Sequence, residues 1–480
     1  MTAAALARRL GRAARITLVE SEAIGTVGVG EATIPPIVQF NRFLGLDEDD
    51  FVRATQATYK LGIEFVDWLR PGHRYIHPFG LFGADMNEIS FNHFWLRWMR
   101  AGGDPDPTLF NTEAQAAYEN RFARTAGGQP GKGPKIHYAF QFDAGLYAVY
   151  LRRFSEGLGV TRVEGKVVEI ARHPGSGFIE AVMLEGVRRI EGELFVDCSG
   201  FRGLLIEETL HAGYEEWTRW LPCDRAVAVP TERSGDPEPY TRTIARPAGW
   251  QWRIPLQHRT GNGHVYASAH ISDDHAAATL LANLDGVPQG DPRVLRFVTG
   301  RRRASWVKNC VAIGLSSGFL EPLESTSIHL IQAAIYKLLA FFPDRDFDPA
   351  LAARFNAEMA TLVEGVRDFI VAHYKLTERE DSELWRYCRA MAVPDSLAEK
   401  IALFRARGEV LSRDEDLFKE PNWFAILYGQ GVVPSGHHAL ADALSGQELE
   451  ANLSQIRAIV RQRVDSLPPH QAFLDAIVRR

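Results

Sequence analysis

Residues 2–10 space small and apolar side chains as a helix does, and Ile16-Thr-Leu-Val-Glu20 then alternates apolar and polar, predicting a strand over 15–20. The glycine-spaced stretch Gly25-Thr-Val-Gly28-Val-Gly30 follows. Lys166–Ile170 and Ile179–Glu185 alternate on either side of the turn His173-Pro-Gly-Ser-Gly177 and predict paired strands. Leu194-Phe-Val-Asp197 reads as a buried strand that runs into Cys198-Ser-Gly200-Phe-Arg-Gly203. Val311-Ala-Ile-Gly314 is another, followed by a loop and a helix from about 327 to 342. Strands that end in glycine turns and lead into helices predict a doubly wound α/β fold built around a nucleotide cofactor. From about 350 onward the pattern is mainly helical, broken at Gly429-Gln-Gly431-Val-Val-Pro434-Ser-Gly436. The division expected is an interleaved catalytic body over 1–345 and a helical cap over 346–480, with no internal repeat or low-complexity tract.

A strand ending in an acid suits the second half of a dinucleotide-binding unit, where the carboxylate meets the ribose hydroxyls, so Glu20 is the candidate. The first strand and Gly-x-Gly-x-x-Gly turn that such a unit places ahead of it are not among these residues. The reading therefore expects the nucleotide's pyrophosphate cradle to be missing.

Composition narrows the class. No run of 18 or more apolar residues occurs, so no membrane span is expected. The formal charge is -6 and the basic residues are scattered apart from Arg301, Arg302 and Arg303, which argues against nucleic acid. Cys198, Cys223, Cys310 and Cys388 show neither CxxC nor zinc spacing, so neither a disulfide nor a metal is expected, in keeping with a reducing cytoplasm. The N-terminus is too polar for a signal peptide.

Three stretches carry candidate chemistry. In Trp250-Gln-Trp252-Arg-Ile254-Pro255, tryptophans two apart on a strand share a face, a pattern that commonly means core packing. In Glu321-Pro-Leu-Glu324-Ser-Thr326-Ser327-Ile-His329, two carboxylates precede a helix. Capping by Ser325 or Thr326, with acids favoured by the dipole, covers Glu321 well and leaves amides near Thr326 and Ser327 as an anion site. Lys60, in Ala57-Thr-Tyr-Lys60-Leu-Gly-Ile-Glu-Phe65, sits at spacings that suit a strand or a helix. A lone lysine there usually snorkels to the surface.

Taken together and in this order, the acid-ended strand, Gly-Val-Gly-Glu-Ala-Thr-Ile-Pro, Tyr-Lys-Leu-Gly-Ile-Glu-Phe, Trp-x-Trp-x-Ile-Pro and Glu-Pro-Leu-Glu-Ser-Thr-Ser-Ile-His-Leu closely resemble the flavin-dependent tryptophan halogenase family over most of residues 1–345. The resemblance implies a monooxygenase-like FAD fold with an added β-sheet. It implies that reduced FAD, oxygen and chloride or bromide yield hypohalous acid, which halogenates an indole or tryptophan-like ring. Lys60 would receive the oxidised halogen, as a haloamine or a hydrogen-bonded hypohalous acid, and Glu324 would orient the donor and take the ring proton. Thr326 and Ser327 match the halide site. Trp250 and Trp252 match the tryptophans that keep organic substrate from the flavin, and His77 and Phe79 the pair that stacks on an indole. Asp197, Gly200 and Gly314 match flavin-contacting turns; Gly30, Ala32 and Thr33 match the strap over the isoalloxazine.

A separate NAD(P)H-dependent reductase would supply reduced flavin. The oligomeric state stays open, a homodimer included, and with the cradle absent weakened FAD affinity is expected. No carboxylate clamp is identifiable in Trp423-Phe-Ala-Ile-Leu-Tyr428-Gly-Gln-Gly431, so the substrate expected is an indole-type ring without an amino-acid handle. The competing readings are a flavin monooxygenase of the same fold and an inactive flavin-fold protein.

Overall fold

The computed structural model describes residues 1–24, 31–125 and 135–479. Two short parallel pairs form the doubly wound part: Thr17–Glu20 beside Thr161–Glu164, and Phe195–Asp197 beside Cys310–Ala312. The helix Thr2–Leu10 packs against both Ala144–Gly157 and Ser327–Ala340, with Ala4, Ala5, Leu6 and Ala7 buried. The alternating segments pair as expected, Val167–Arg172 antiparallel to Ile179–Leu184, and a third strand, Arg188–Glu191, extends them.

The added sheet has seven strands, in the order Arg293–Arg296, Arg225–Thr231, Thr260–Tyr266, Gly249–Pro255, Thr241–Arg246, Gly62–Val66 and Arg74–Pro78. Every residue of its two middle strands, Gly249–Pro255 and Thr260–Tyr266, is buried, because protein covers both faces. Gly263 lies opposite Trp252 in the ladder, and a Cβ there would come within 2.1 Å of the indole. The missing side chain is what admits the ring.

Thr58–Lys60 is a strand, which settles the ambiguity of that segment. It pairs with Ala139–Phe142, whose other edge carries Glu31–Ala32. At Leu61 the chain leaves this small sheet and enters the large one at Gly62. Lys60 is therefore fixed where two sheets meet.

Beyond 346 the described elements are helical: Pro349–Lys375, Glu383–Ala390, Asp395–Arg407, Glu420–Gly429, Gly446–Asp465 and His470–Val478, with one short 3-10 turn. The Gly/Pro-rich break falls where Glu420–Gly429 ends. In Pro349–Lys375 every residue from Val366 to Tyr374 is buried, so this helix runs through the body rather than over it. Among the described residues no helix is long and apolar enough to cross a membrane.

Candidate active site

The site is built on the turn between the strand Cys310–Ala312 and the helix Ser327–Ala340. Pro322 opens a short 3-10 helix, Pro322–Glu324, and Ser325 closes it in the left-handed region at φ 56°. That reversal turns the Ser325 hydroxyl to Lys60, whose Nζ donates to Oγ at 2.7 Å. The same Nζ lies 5.4 Å from the centre of the Phe79 ring. Lys60 is 0% exposed, so it does not snorkel. Burial lowers its ammonium to about 7, and the charge of Glu324 partly opposes the shift.

Glu324, equally buried, is held from two sides. His77 Nδ1 lies 2.8 Å from Oε2 and His373 Nε2 lies 2.8 Å from Oε1. Each imidazole has its own outer partner: Asn422 donates to His77 Nε2 at 3.0 Å, and the Tyr75 hydroxyl donates to His373 Nδ1 at 2.7 Å. With its outer nitrogen accepting, each ring turns its remaining N–H to the carboxylate. Burial alone would raise the Glu324 carboxyl, but the two imidazoles outweigh it and hold the group at about 2. His373 is itself lowered, chiefly by burial.

His373, Asn422 and Tyr75 were not singled out in the sequence. The available signal was the histidine inside the apolar run Phe369-Ile-Val-Ala-His373-Tyr374. A polar group in a fully apolar helix stretch asks for a buried partner.

Trp250 and Trp252 project from the strand Gly249–Pro255 with ring centres 6.1 Å apart. Trp250 Nε1 donates to Glu321 Oε2 at 2.8 Å. Glu321 is accordingly not a helix-capping acid, as its position had suggested: its side chain caps nothing, and it is buried against Trp250 and the Tyr374 hydroxyl, which donates to Oε2 at 2.6 Å. Thr326 is the N-cap of Ser327–Ala340 but makes no side-chain cap bond, and its buried Oγ1 has no partner among the described residues.

The remaining candidates lie along the parallel strands. Glu20 closes Thr17–Glu20 and pairs with Arg162 at 2.6 Å. Asp197 closes Phe195–Asp197 and accepts from the backbone amides of Ser199, Leu205 and Ile206, so its carboxylate shapes the glycine turn. Gly200 (φ 77°) and Gly314 (φ 80°) occupy neighbouring turns after the paired strands Phe195–Asp197 and Cys310–Ala312. Ala32 pairs with Gln141, and the Thr33 hydroxyl donates to Phe140 O at 2.7 Å, tying this segment to the strand that also holds Thr58–Lys60. Gly30 lies outside the described residues.

A family model described as tryptophan halogenase matches residues 1–446. The tryptophan 6-halogenase of Streptomyces toxytricini is 38% identical, with 100% of this chain and 96% of that protein covered. The chain belongs to the tryptophan halogenase family. Among solved structures, a flavin-dependent halogenase from Xanthomonas campestris superposes with a TM-score of 0.96 at 48% identity, over 99% of this chain and 95% of the other. One from a Brevundimonas species gives 0.94 at 47% identity, over 99% and 96%. This halogenase is an FADH2-dependent enzyme that uses a halide, and family members act on small aromatic rings beside a separate flavin reductase.

The residues fit a flavin and a halide. A Cβ at Gly200 would meet no atom within 4 Å, which leaves an open backbone face beside Gly314. At the start of Ser327–Ala340 the halogenase offers first-turn amides, which a helix leaves without intrahelical partners, next to the Thr326 hydroxyl, which has no partner among the described residues; both are donors of the kind an anion requires.

Proposed function

We propose that the halogenase acts on indole-type rings without an amino-acid handle, and that Lys60 carries the halogen to them. The observation that carries this reading is the Lys60 Nζ, fully buried, bonded to Ser325 and lowered to about 7 between the Phe79 ring and the Glu324 turn. Reduced FAD, when bound, supplies the electrons with which oxygen oxidises halide to hypohalous acid. Gly200, Gly314, Ala32 and Thr33 would hold the flavin, with Glu20 at its ribose and Asp197 shaping the turn. Thr326 and Ser327 would hold the halide.

The Lys60 amine attacks the halogen of hypohalous acid, so that an N–halogen bond forms, the halogen–oxygen bond breaks and the oxygen departs as water with the amine's proton. As the ring gives its C–H proton to the ionised Glu324 and takes the halogen from Nζ, the N–halogen bond breaks, and the proton passes from Glu324 to the nitrogen to restore the free amine. His77 and Phe79 flank the aromatic ring. Trp250 and Trp252 wall it off from the flavin, which keeps halide as the species oxidised.

The preference for a bare ring rests on how the polar groups near the cap are used. Asn422 is occupied by His77, the Tyr428 hydroxyl donates to Pro105 O at 3.0 Å, and Gln430 donates to His373 O at 2.9 Å. Each already donates within the protein, and the Tyr428 hydroxyl has no second proton to offer an amino-acid carboxylate. The reaction is assigned to the cytoplasm, where an NAD(P)H-dependent reductase renews the flavin.

The test is mass spectrometry of indole and free tryptophan incubated with the protein, FAD, a flavin reductase, NADH and bromide. Bromoindole is expected at about tenfold higher kcat/KM than bromotryptophan, the scale of one unmade polar contact. Lys60→Ala is expected to give neither while still oxidising reduced flavin. Tryptophan as the better substrate refutes the preference; product from Lys60→Ala refutes the carrier.

A further inference from the structure

Glu321 stands three residues before Glu324 and takes no part in the chemistry above. One turn of 3-10 helix brings positions three apart onto the same face, so both carboxylates meet the helix Pro349–Lys375. They meet it at consecutive residues: His373 donates to Glu324 Oε1 at 2.8 Å, and Tyr374 donates to Glu321 Oε2 at 2.6 Å. That same Oε2 also accepts the Trp250 indole N–H at 2.8 Å, while Oε1 has no partner among the described residues.

Among the described residues the groups facing Glu321 are Trp250, Tyr374, Cys223 and Cys388, none of them a cation. Burying a carboxyl without a counter-charge is unfavourable, and an apolar residue of similar size would pack more cheaply. What Glu321 adds is an acceptor for one indole. Satisfying a buried N–H is not reason enough by itself, because the neighbouring Trp252 Nε1 is buried with no partner among the described residues. Trp252 is seated by shape, over the bare backbone of Gly263, whereas Trp250 is seated by a directed hydrogen bond.

We propose that Glu321 is a positioning residue that fixes the Trp250 indole, and that Tyr374 ties this wall to the helix gripping the catalytic carboxylate. The inference rests on the wall role assigned to Trp250.

Two readouts test it: halogenated product per flavin oxidised, and the Trp250 indole N–H resonance, assigned by its loss in Trp250→Phe. Glu321→Leu is expected to shift that resonance toward the value of an unbonded indole and to lower the coupling ratio about fivefold, the effect of one lost buried hydrogen bond. Glu321→Gln keeps an acceptor oxygen and should restore both. If Glu321→Leu fails to fold, as a melting curve would show, Tyr374→Phe replaces it and should shift the same resonance. Coupling and resonance unchanged in the folded variant overturn the inference. A coupling loss in Trp250→Ala with none in Glu321→Leu overturns it alone, whereas wild-type coupling in Trp250→Ala overturns the wall reading beneath it.

Discussion

Lys60 is a lysine that need not hold a proton. Burial lowers its ammonium to about 7, so near neutrality roughly half of the molecules carry the free amine. Only the free amine has a lone pair for the halogen. Transfer should therefore rise about tenfold per pH unit below 7 and level off above it. Glu324, held near 2 by His77 and His373, stays ionised over that range and adds no limb. Glu321, raised to about 7 chiefly by burial, could add one, so single-turnover halogenation is followed against pH in the parent and in Glu321→Gln. The rise is expected in both, and flat profiles would remove the free amine from the mechanism. Stability runs the other way. The folded state disfavours the lysine's proton, so the cost of burial grows as pH falls from about 10.4, the unfolded value, and is complete below about 7. Lys60→Met is thus expected to melt no lower than the parent at pH 7, with a gain of up to about 3 kcal/mol, and to yield no halogenated product. A clearly lower Tm would show that the amine holds the turn together.

Elements, more than residues, decided what could be read from the sequence. Period-2 and period-3.6 patterns located Thr2–Leu10, Thr17–Glu20, the pair Val167–Arg172 and Ile179–Leu184, and Ser327–Ala340, because one solvated face or a glycine turn marks each. Lys60 and Glu324 were legible through the order of several motifs. His373, Tyr75 and Asn422 were not, since the register of Pro349–Lys375 and Arg74–Pro78 decides which side chain faces Glu324, and the stretch Val366–Tyr374, buried on every side, has no solvated face to set that register. The role of Glu321 was hidden for a different reason. A capping acid and a buried acid look alike until the chain reverses at Ser325, a non-glycine in the left-handed region that propensity would not assign. This turn supports its own prediction. Ser325→Gly relieves about 1 kcal/mol of backbone strain but removes the Lys60 acceptor. Tm should stay within a degree or two of the parent while halogen transfer falls about tenfold, as loss of the hydrogen bond that positions the amine implies. Unchanged transfer would mean that the hydroxyl does not position the amine.

At the scale of the whole molecule, the boundary near 345 separates mixed from helical sequence, but the packing crosses it. One hydrophobic cluster joins Phe65, Trp68 and Trp250 to Phe369, Tyr374, Trp385, Trp423 and Leu449. A second joins Phe51, Tyr59 and Phe140 to Phe355, Val460 and Leu474. Near the chain's end, His470 accepts from the Tyr59 amide at 3.2 Å and pairs with Pro237 O at 2.8 Å, which braces the strand that carries Lys60. Each large apolar side chain stripped of its cover forfeits roughly 1.5–3 kcal/mol. Uncovering half a dozen therefore forfeits about 9–18 kcal/mol, as much as the roughly 5–15 kcal/mol that holds a typical native state together. Residues 1–345 produced alone should accordingly show no cooperative melt and should bind an apolar dye. The two imidazole contacts give the same experiment a chemical edge. Without His373 and Asn422, Glu324 keeps a single, unanchored partner in His77, so adding residues 346–480 as a separate chain should restore halogenation only as far as it restores the melt. A cooperative, flavin-binding 1–345 fragment would show instead that the catalytic body folds by itself and that the helices supply only His373 and Asn422.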